Sequence, residues 1–404
     1  MRVAQLPLLL ATGLFFLLLA GCDISKIDGS KVIVVWTGWQ NEASVLTELA
    51  KEFTEITGTQ VKVVNVSFVD LKNKFQLAAP AFVGPDIITG PNDWIGPFAI
   101  ANLIQPVSFV SDQYEILPVG LKSMGYKNLI FGFPLFMEGV AFIYNKSLIP
   151  APPLTMGDAI KMSKDFRSKD QYGLVFDISN FYFTWPFFSG WGATVFQAGT
   201  ENNLAPKPSL SEHNAVIAGE YLRQIIEKEG LFPAVMTGDV ANALFLDGRA
   251  AMIINGPWFI EDVRKSGINF GIAKIPMLAN GNHPASFVGV QGLYLNKRTL
   301  NKDKSLAFID FLGEPKNIVK LATASGRIPV DKRALAMLKD NEVITGYSKA
   351  LTDGMPLPNI PAMTQVWPYM SEGMKLIVQK EHDVADILKT SNEQINEAIK
   401  RLVK

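Results

Sequence analysis

Short β-branched runs alternate with amphipathic helices in the first part of this chain, and that order restricts the fold more than any other feature. The predicted elements are a strand over 31–36, a helix over 45–56, a strand over 61–66, a helix over 69–78 and a strand that starts at Asp86. Asn41 is placed to cap the first helix and Gly58 to end it. This alternation predicts an α/β fold with a mainly parallel sheet flanked by helices.

Two later β segments, over 131–145 and 288–295, predict that the chain forms two lobes. The first is long enough to serve two domains, and the chain is expected to cross between lobes near Phe136 and again near Val288. The predicted N-terminal lobe is 31–136 plus 290–340, and the C-terminal lobe is 137–289 plus 341–404. The crossing strands can act as a hinge, and a cleft between two domains is a favoured ligand site.

The N-terminal segment is expected to be absent from the mature protein. Residues 1–21 combine a positive start with an apolar run, which predicts a secretory signal peptide, and 22–30 form a tether. Leu19-Ala20-Gly21-Cys22 resembles a bacterial lipobox, in which Cys22 carries the lipid. The alternative is an ordinary signal peptide followed by an ordinary cysteine. The lipobox predicts an extracytoplasmic protein that a lipid anchor holds at the membrane.

Composition excludes several classes of protein. Cys22 is the single cysteine, so neither an intrachain disulfide nor a cysteine metal cluster can form. The formal net charge is zero, which argues against a nucleic-acid partner. The chain carries no glycine-rich nucleotide-binding motif, and its three histidines lack metal-ligand spacing. We therefore expect no cofactor, no metal and no catalytic residues.

Five segments at predicted loop positions pair a tryptophan or tyrosine with hydroxyl, amide or carboxylate neighbours. They are 36–42, 90–94, 181–186, 255–258 and 365–369. Binding residues concentrate in loops on a rigid scaffold. A flat ring can cover the apolar face of a sugar while amides and carboxylates bind its hydroxyl groups. The recurrence of this pairing therefore predicts a carbohydrate site.

Each candidate residue also has a structural interpretation. Glu138 in a β run is either a hydroxyl-binding carboxylate or half of a buried salt bridge, and Asp93 either contacts ligand or caps a helix. Trp258 follows a strand and is either a ligand contact or core. Trp36 is expected in the core, whereas Trp39 between polar and glycine neighbours is expected to be exposed. We expect Trp185, Phe187 and Phe188 to fill core.

These segments together resemble the maltose/maltodextrin-binding proteins of ABC importers. The resemblance spans nearly the whole mature chain and is carried by 84–88, 143–148, 182–186, 251–258, 287–290 and 355–367. It implies a two-lobed periplasmic-binding-protein fold with sugar in the cleft and no chemical step. It also implies a monomer that presents its loaded form to a membrane permease. The ligand contacts that carry over are Asp93, Glu138, Tyr182, Trp258 and Trp367.

Several positions depart from that family in one direction. Trp39-Gln40 replaces an Asp-Lys pair, Trp94 replaces an arginine, and Asn180 replaces an acid. Pro368 and Ser371 replace a polar aromatic residue and a basic residue. Fewer charges and more ring surface predict a broader or longer α-glucan, such as maltodextrin or cyclodextrin. The expected ligand-binding set is Trp39, Gln40, Glu42, Asp93, Trp94, Glu138, Tyr182, Trp258 and Trp367.

Two other functions remain open from the sequence. A surface glycoside hydrolase could use Asp93 and Glu138 as its acid and base, provided that the carboxyl groups flank the scissile bond. A binding protein for a different oligosaccharide or another solute would use the same two lobes. A phosphorylated ligand would require an arginine or lysine cluster, and the five aromatic segments contain none.

Overall fold

The computed structural model describes residues 32–108, 114–166, 171–200, 205–228, 236–379 and 382–402. The predicted signal peptide, the predicted tether and Cys22, the predicted lipid-attachment residue, lie outside these residues. Within the described part, no helix combines the length and the apolar character that a membrane span requires.

Strands and helices alternate from β1 to α3, and several strands or several helices follow one another later in the chain. The strands are β1 (Val32–Thr37), β2 (Gln60–Asn65), β3 (Ile87–Pro91), β4 (Gly125–Tyr126), β5 (Leu129–Ile130), β6 (Gly132–Glu138), β7 (Ala141–Asn145), β8 (Tyr172–Val175), β9 (Ala250–Asn255), β10 (Phe270–Ala273), β11 (Phe287–Leu295), β12 (Ile328–Pro329) and β13 (Met355–Pro356). The helices are α1 (Ala43–Thr57), α2 (Phe68–Ala78), α3 (Ile95–Ile100), α4 (Pro118–Ser123), α5 (Met156–Asp165), α6 (Phe181–Gly190), α7 (His213–Lys228), α8 (Gly238–Leu246), α9 (Ile260–Lys265), α10 (Lys302–Leu312), α11 (Pro315–Ser325), α12 (Lys332–Met337), α13 (Glu342–Ala350), α14 (Met363–Gln379) and α15 (Val384–Leu402).

Two sheets organise the two lobes. The first has the order β12-β6-β11-β3-β1-β2, with β13 paired to β11, and the second has the order β10-β7-β9-β8. Strand β6 belongs to the first sheet, and β7, which starts three residues after β6 ends, belongs to the second. The long β run predicted from the sequence therefore serves both sheets.

The strand directions are more mixed than the sequence predicts. Strands β2 and β3 both pair with β1 in parallel, and β8 pairs with β9 in parallel. The later strand β11 runs antiparallel to both β3 and β6, and β7 runs antiparallel to β9. The expectation of a mainly parallel sheet is thus right for β1–β3. It fails where the chain returns from the other lobe, because the sequence does not show the direction of return.

Helix α1 shows which local signals decide an element boundary. Gly58 takes the left-handed conformation at φ 72° and ends the helix, as predicted. The predicted cap at Asn41 is wrong, since the helix begins after Glu42 and has no side-chain cap. The Asn41 amide instead donates to the Trp258 carbonyl oxygen at 2.8 Å. Asn41 therefore makes a tertiary hydrogen bond instead of the helix cap that its local propensity predicts.

Strand β11 is built into the cores of both lobes. At its start, Phe287 stacks on Trp185 of α6 with ring centroids 4.5 Å apart and planes 9° apart. Further along, Leu293 and Leu295 are buried in the core under the first sheet. Trp185, Phe187 and Phe188 are all fully buried, which confirms the expectation that they fill core.

The buried Asp86 joins the start of β3 to distant parts of the first lobe. Its carboxylate accepts from the Val34 backbone N–H at 2.8 Å, from the Thr299 hydroxyl and from the Asn301 amide. Each of these donors is part-buried or buried with it. Loss of the carboxylate would leave several donors without partners in a site that water enters poorly.

We expect Asp86→Ala to lower the free energy of unfolding by about 2–4 kcal/mol, because it removes a charged acceptor from buried donors. The measurement is urea unfolding followed by circular dichroism in the absence of sugar. Asp70→Ala is the control, since Asp70 is half exposed and pairs with Lys74 at 3.6 Å, so that its loss should cost less than about 1 kcal/mol. Equal losses in both variants would contradict the role given to Asp86.

Candidate functional site

Two side-chain hydrogen bonds join the lobes where the predicted site residues meet. Asp93 lies in a 3-10 turn after β3, and Trp258 lies in a 3-10 turn after β9. The Trp367 indole N–H donates to Asp93 Oδ2 at 3.1 Å, and Asn41 donates to the carbonyl oxygen of Trp258. These turns follow the carboxyl ends of their strands, the edge at which open α/β sheets bind ligands.

Three half-buried aromatic rings form the C-terminal side of this cleft. The Tyr182 ring centroid lies 6.1 Å from those of both Trp258 and Trp367. Behind them the Phe287 ring lies 5.9 Å from Trp367. Helix α6 positions Tyr182, because the Asn180 side chain caps the helix by accepting from the Tyr182 backbone N–H at 3.0 Å. We call Tyr182, Trp258 and Trp367 the ring cluster.

Asp93 offers an unused acceptor beside the ring cluster. Its Oδ2 accepts from Trp367, whereas its Oδ1 is buried without a hydrogen-bond partner among the described residues. Burial raises the pKa of Asp93 above 3.8, and the nearby Lys72 ammonium opposes that rise. Burial lowers the pKa of Lys72 in turn. A hydroxyl donor at Oδ1 would satisfy this oxygen.

A buried arginine occupies the base of the cleft. Arg327 makes ion pairs with Glu42 and with Glu138, and the three residues are 7 %, 1 % and 7 % exposed. Burial acts to lower the pKa of Arg327, but the two carboxylates outweigh it and hold that pKa above its usual value. Glu42 Oε2 remains buried without a partner among the described residues. The structure is therefore compatible with Glu138 as half of a buried salt bridge and with Glu138 as a ligand-binding carboxylate, because the salt bridge lies within the candidate site.

The network continues into the crossing strands. Gln291 of β11 donates to Glu138 Oε1 at 2.6 Å and accepts from the Trp39 indole N–H at 2.9 Å. Burial raises the pKa of Tyr182 well above 10, and the charges of Glu138 and Asp93 add to that rise. The Tyr182 phenol therefore stays protonated and can donate a hydrogen bond.

The expectation that Trp39 is exposed is wrong. Its ring is 1 % exposed and packs edge-on against Phe136 at 5.8 Å inside the N-terminal lobe. The loop after β1 folds back because Thr37 accepts from the Trp39 backbone N–H at 3.1 Å. Trp36, expected in the core, is only half-buried, whereas Gln40 is exposed beside the loop. Trp39 is thus the more buried of the two tryptophans, contrary to the prediction.

Trp94 is also turned away from the cleft surface. It is buried among the core residues of the N-terminal lobe and is stacked by Phe68 at 5.4 Å. A Cβ at Gly90 would lie 2.5 Å from the Trp94 ring, so the glycine makes room for it. The burial of Trp94 could not be predicted from the sequence, because Phe68 and Gly90 approach its ring only in the folded lobe.

Sequence reasoning missed Asn41, Lys72, Gln291 and Arg327. Their signals are weak, since single polar residues flank helices and strands throughout the chain. Arg327 follows a left-handed Gly326 and precedes a short buried strand, which is the one local hint that its side chain is enclosed. Among the described residues, no group of three or more His, Cys, Asp or Glu side chains could hold a metal ion.

We expect Arg327→Leu to destabilise the protein by about 3–5 kcal/mol, because Glu42 and Glu138 would keep buried charges without a counterion. Urea unfolding measures the loss. The control is Arg264→Leu, whose partner Glu261 lies 3.6 Å away on a partly exposed helix face, with an expected loss below about 1 kcal/mol. Adding Glu42→Gln and Glu138→Gln to Arg327→Leu should restore part of the stability. No recovery would contradict the charge-based explanation.

Comparison with known proteins finds a matching family and similar sequences. The family described as bacterial extracellular solute-binding protein matches residues 48–346. The maltotriose-binding protein of Pyrococcus abyssi is 30% identical over 384 residues, which cover 91% of this chain and 82% of that protein. A maltooligosaccharide ABC transporter solute-binding lipoprotein of Streptococcus pneumoniae is 27% identical over 403 residues and 95% of each chain.

A solved structure agrees with the sequence relatives. The Thermus thermophilus maltotriose binding protein, bound with maltotriose, superposes with a TM-score of 0.86 at 33% identity. The match covers 91% of this chain and 100% of that one. The fold is therefore the two-lobed fold of periplasmic binding proteins, and the chain belongs to the bacterial extracellular solute-binding proteins.

Proposed function

We propose that this protein captures an α-glucan oligosaccharide of the maltodextrin or cyclodextrin class between its lobes and delivers it to an ABC importer. The observation that carries the proposal is the ring cluster beside the unpartnered Asp93 Oδ1. Rings cover the C–H faces of a glucose unit, and a buried acceptor binds a hydroxyl group. Relatives named for maltotriose and for maltooligosaccharides support this ligand class.

The proposed ligand contacts are of two kinds: some residues cover the apolar faces of the sugar rings and others bind their hydroxyl groups. Tyr182, Trp258 and Trp367 cover sugar faces from the C-terminal lobe, while Asp93 accepts from sugar hydroxyls on the N-terminal lobe. Glu42 and Glu138 offer carboxylate oxygens at the base of the cleft, and exposed Gln40 lies at its rim. The buried rings of Trp39 and Trp94 shape the lobe under the ligand and are not ligand contacts in this proposal.

The lobes bind sugar by closing on it. The proposed N-terminal lobe is 31–136 plus 290–340 and the C-terminal lobe is 137–289 plus 341–404, with hinges in the crossing strands. The bonds of Asn41 to Trp258 and of Trp367 to Asp93 belong to the closed form. A ligand that contacts both lobes binds this form more tightly and shifts the population towards it.

The hydrogen bonds of the carboxylates give little support to the alternative that the protein is a glycoside hydrolase. A glycosidase needs two carboxyl groups that can act as acid and base or nucleophile. Glu138 uses Oε1 to accept from Gln291 and Oε2 to bind Arg327, so neither oxygen is poised for proton transfer. Incubation with maltoheptaose should therefore release no new reducing ends.

We also propose that an N-terminal lipid holds the protein at the membrane near its permease. Cys22 carries the lipid after removal of 1–21, and residues 22–30 tether a monomer to the membrane near its permease. The Streptococcus pneumoniae relative that spans 95% of each chain is named as a lipoprotein. Metabolic labelling with a fatty acid, with Cys22→Ala as the control, tests the anchor directly.

We expect the protein to bind maltotriose, maltoheptaose and cyclodextrin more tightly than glucose in calorimetric titrations. Trp258→Ala and Trp367→Ala should each weaken binding by about tenfold to a hundredfold, because each removes a ring that covers a sugar face. Trp367→Phe keeps a ring and should retain more affinity than Trp367→Ala. Tighter binding of a monosaccharide than of any oligomer would overturn the proposal.

We also expect affinity for maltotriose to fall as the pH is lowered from about 7 towards 4. Unliganded Asp93 has a raised pKa, whereas hydroxyl donors favour the ionised carboxylate and lower that pKa in the complex. Binding therefore releases a proton between the two pKa values, and the affinity is lost as the pH falls through the higher one. Asp93→Asn should bind more weakly with a flatter pH profile. An unchanged slope in that variant would exclude Asp93 as its source.

A further inference from the structure

Phe68, the first residue of α2, exposes an aromatic ring at the edge of the candidate site. The side chain is 43 % exposed, although its ring stacks on Trp94 at 5.4 Å with planes 26° apart. A Cβ at Gly38 would lie 3.2 Å from the Phe68 ring, so this ring also packs on the loop after β1. Phe68 thus lies at the carboxyl edge of β1 and β3, from which Asp93 also extends.

Phe68 is the exposed ring of the stacked pair that it forms with Trp94. Trp94 is buried beneath it and contacts Phe98 on its other side at 5.8 Å. The aromatic surface that the sequence assigned to Trp94 is therefore presented by Phe68. A ring backed by a second ring is held in place, which suits stacking on a flat ligand.

Lys72 connects this ring to the Asp93 carboxylate. It lies four residues after Phe68, on the same face of α2. It is half-buried, and its ammonium interacts electrostatically with Asp93. Because Phe68 stacks on Trp94, the residue after Asp93, this face of α2 lies near Asp93. Asp93 Oδ1 is buried without a hydrogen-bond partner among the described residues, and such an acceptor itself indicates a ligand at this point.

A ring, an ammonium donor and a carboxylate acceptor in this order fit one more sugar unit. We propose that Phe68 is the platform of an additional glucosyl subsite on the N-terminal lobe, with Lys72 and Asp93 binding hydroxyl groups of the same stretch of glucan. The subsite lies on the lobe opposite to the ring cluster and takes the units of a longer linear maltodextrin that extend beyond it. This inference rests on the proposed function and names a ligand longer than maltotriose.

The experiment compares chain lengths in variants of Phe68. Maltotriose and maltoheptaose are titrated into the unmodified protein, Phe68→Ala and Phe68→Leu, the last of which keeps an apolar cover over Trp94. In both variants we expect maltoheptaose to bind about five- to thirtyfold more weakly, while maltotriose changes by less than about twofold. Phe68→Trp should retain the preference for the longer chain.

Phe82→Ala is the matched control, because Phe82 is an exposed N-terminal-lobe phenylalanine that lies near Arg298 at 5.2 Å instead of near Trp94. It should leave both affinities unchanged. Equal effects of the Phe68 variants on both glucans, or no effect on either, would overturn the subsite while leaving the proposed function intact. Failure of the unmodified protein to bind any glucan would instead reject the proposed function.

Discussion

The charge balance around Arg327 is the constraint on which the cleft depends. One guanidinium forms ion pairs with both Glu42, which precedes α1, and Glu138, which ends β6. Without it, two carboxylates would lie in a site from which water is largely excluded. Because Gln291 of β11 joins Glu138 to Trp39, the same network fixes a crossing strand and the loop after β1. The same residues thus join the loop after β1 to the crossing strands and form part of the candidate site.

The two sides of the candidate cleft carry different kinds of side chain. The C-terminal lobe supplies Tyr182, Trp258 and Trp367, which are rings held by a helix cap, a strand end and α14. The N-terminal lobe supplies acceptors, of which Asp93 is the clearest. Since Trp367 already donates to Asp93 across the cleft, the lobes have a direct attraction that does not require ligand. In the proposed function, sugar hydroxyl groups and the Trp367 indole donate to the same carboxylate, which would link closure to binding.

Sequence patterns predicted the elements far better than they predicted the environments of single side chains. The order of strands and helices, the end of α1 at Gly58 and the buried Trp185 follow from spacing and local propensity. The burial of Trp39 could not be predicted, because its partners Gln291 and Phe136 are far away in the sequence. Arg327 was missed for a related reason, since its two carboxylate partners are separated from it by 285 and 189 residues.

The position of β11 has a consequence for how the chain acquires its structure. This strand lies between β6 and β3 in the first sheet, yet it follows the whole of β7 to β10 in sequence. The N-terminal half cannot complete its own sheet until that later segment arrives. Contacts of such large sequence separation slow folding, because long loops must close before the pairing is formed. The first sheet therefore becomes complete only after β11, which lies far along the sequence, is available to pair with β3 and β6.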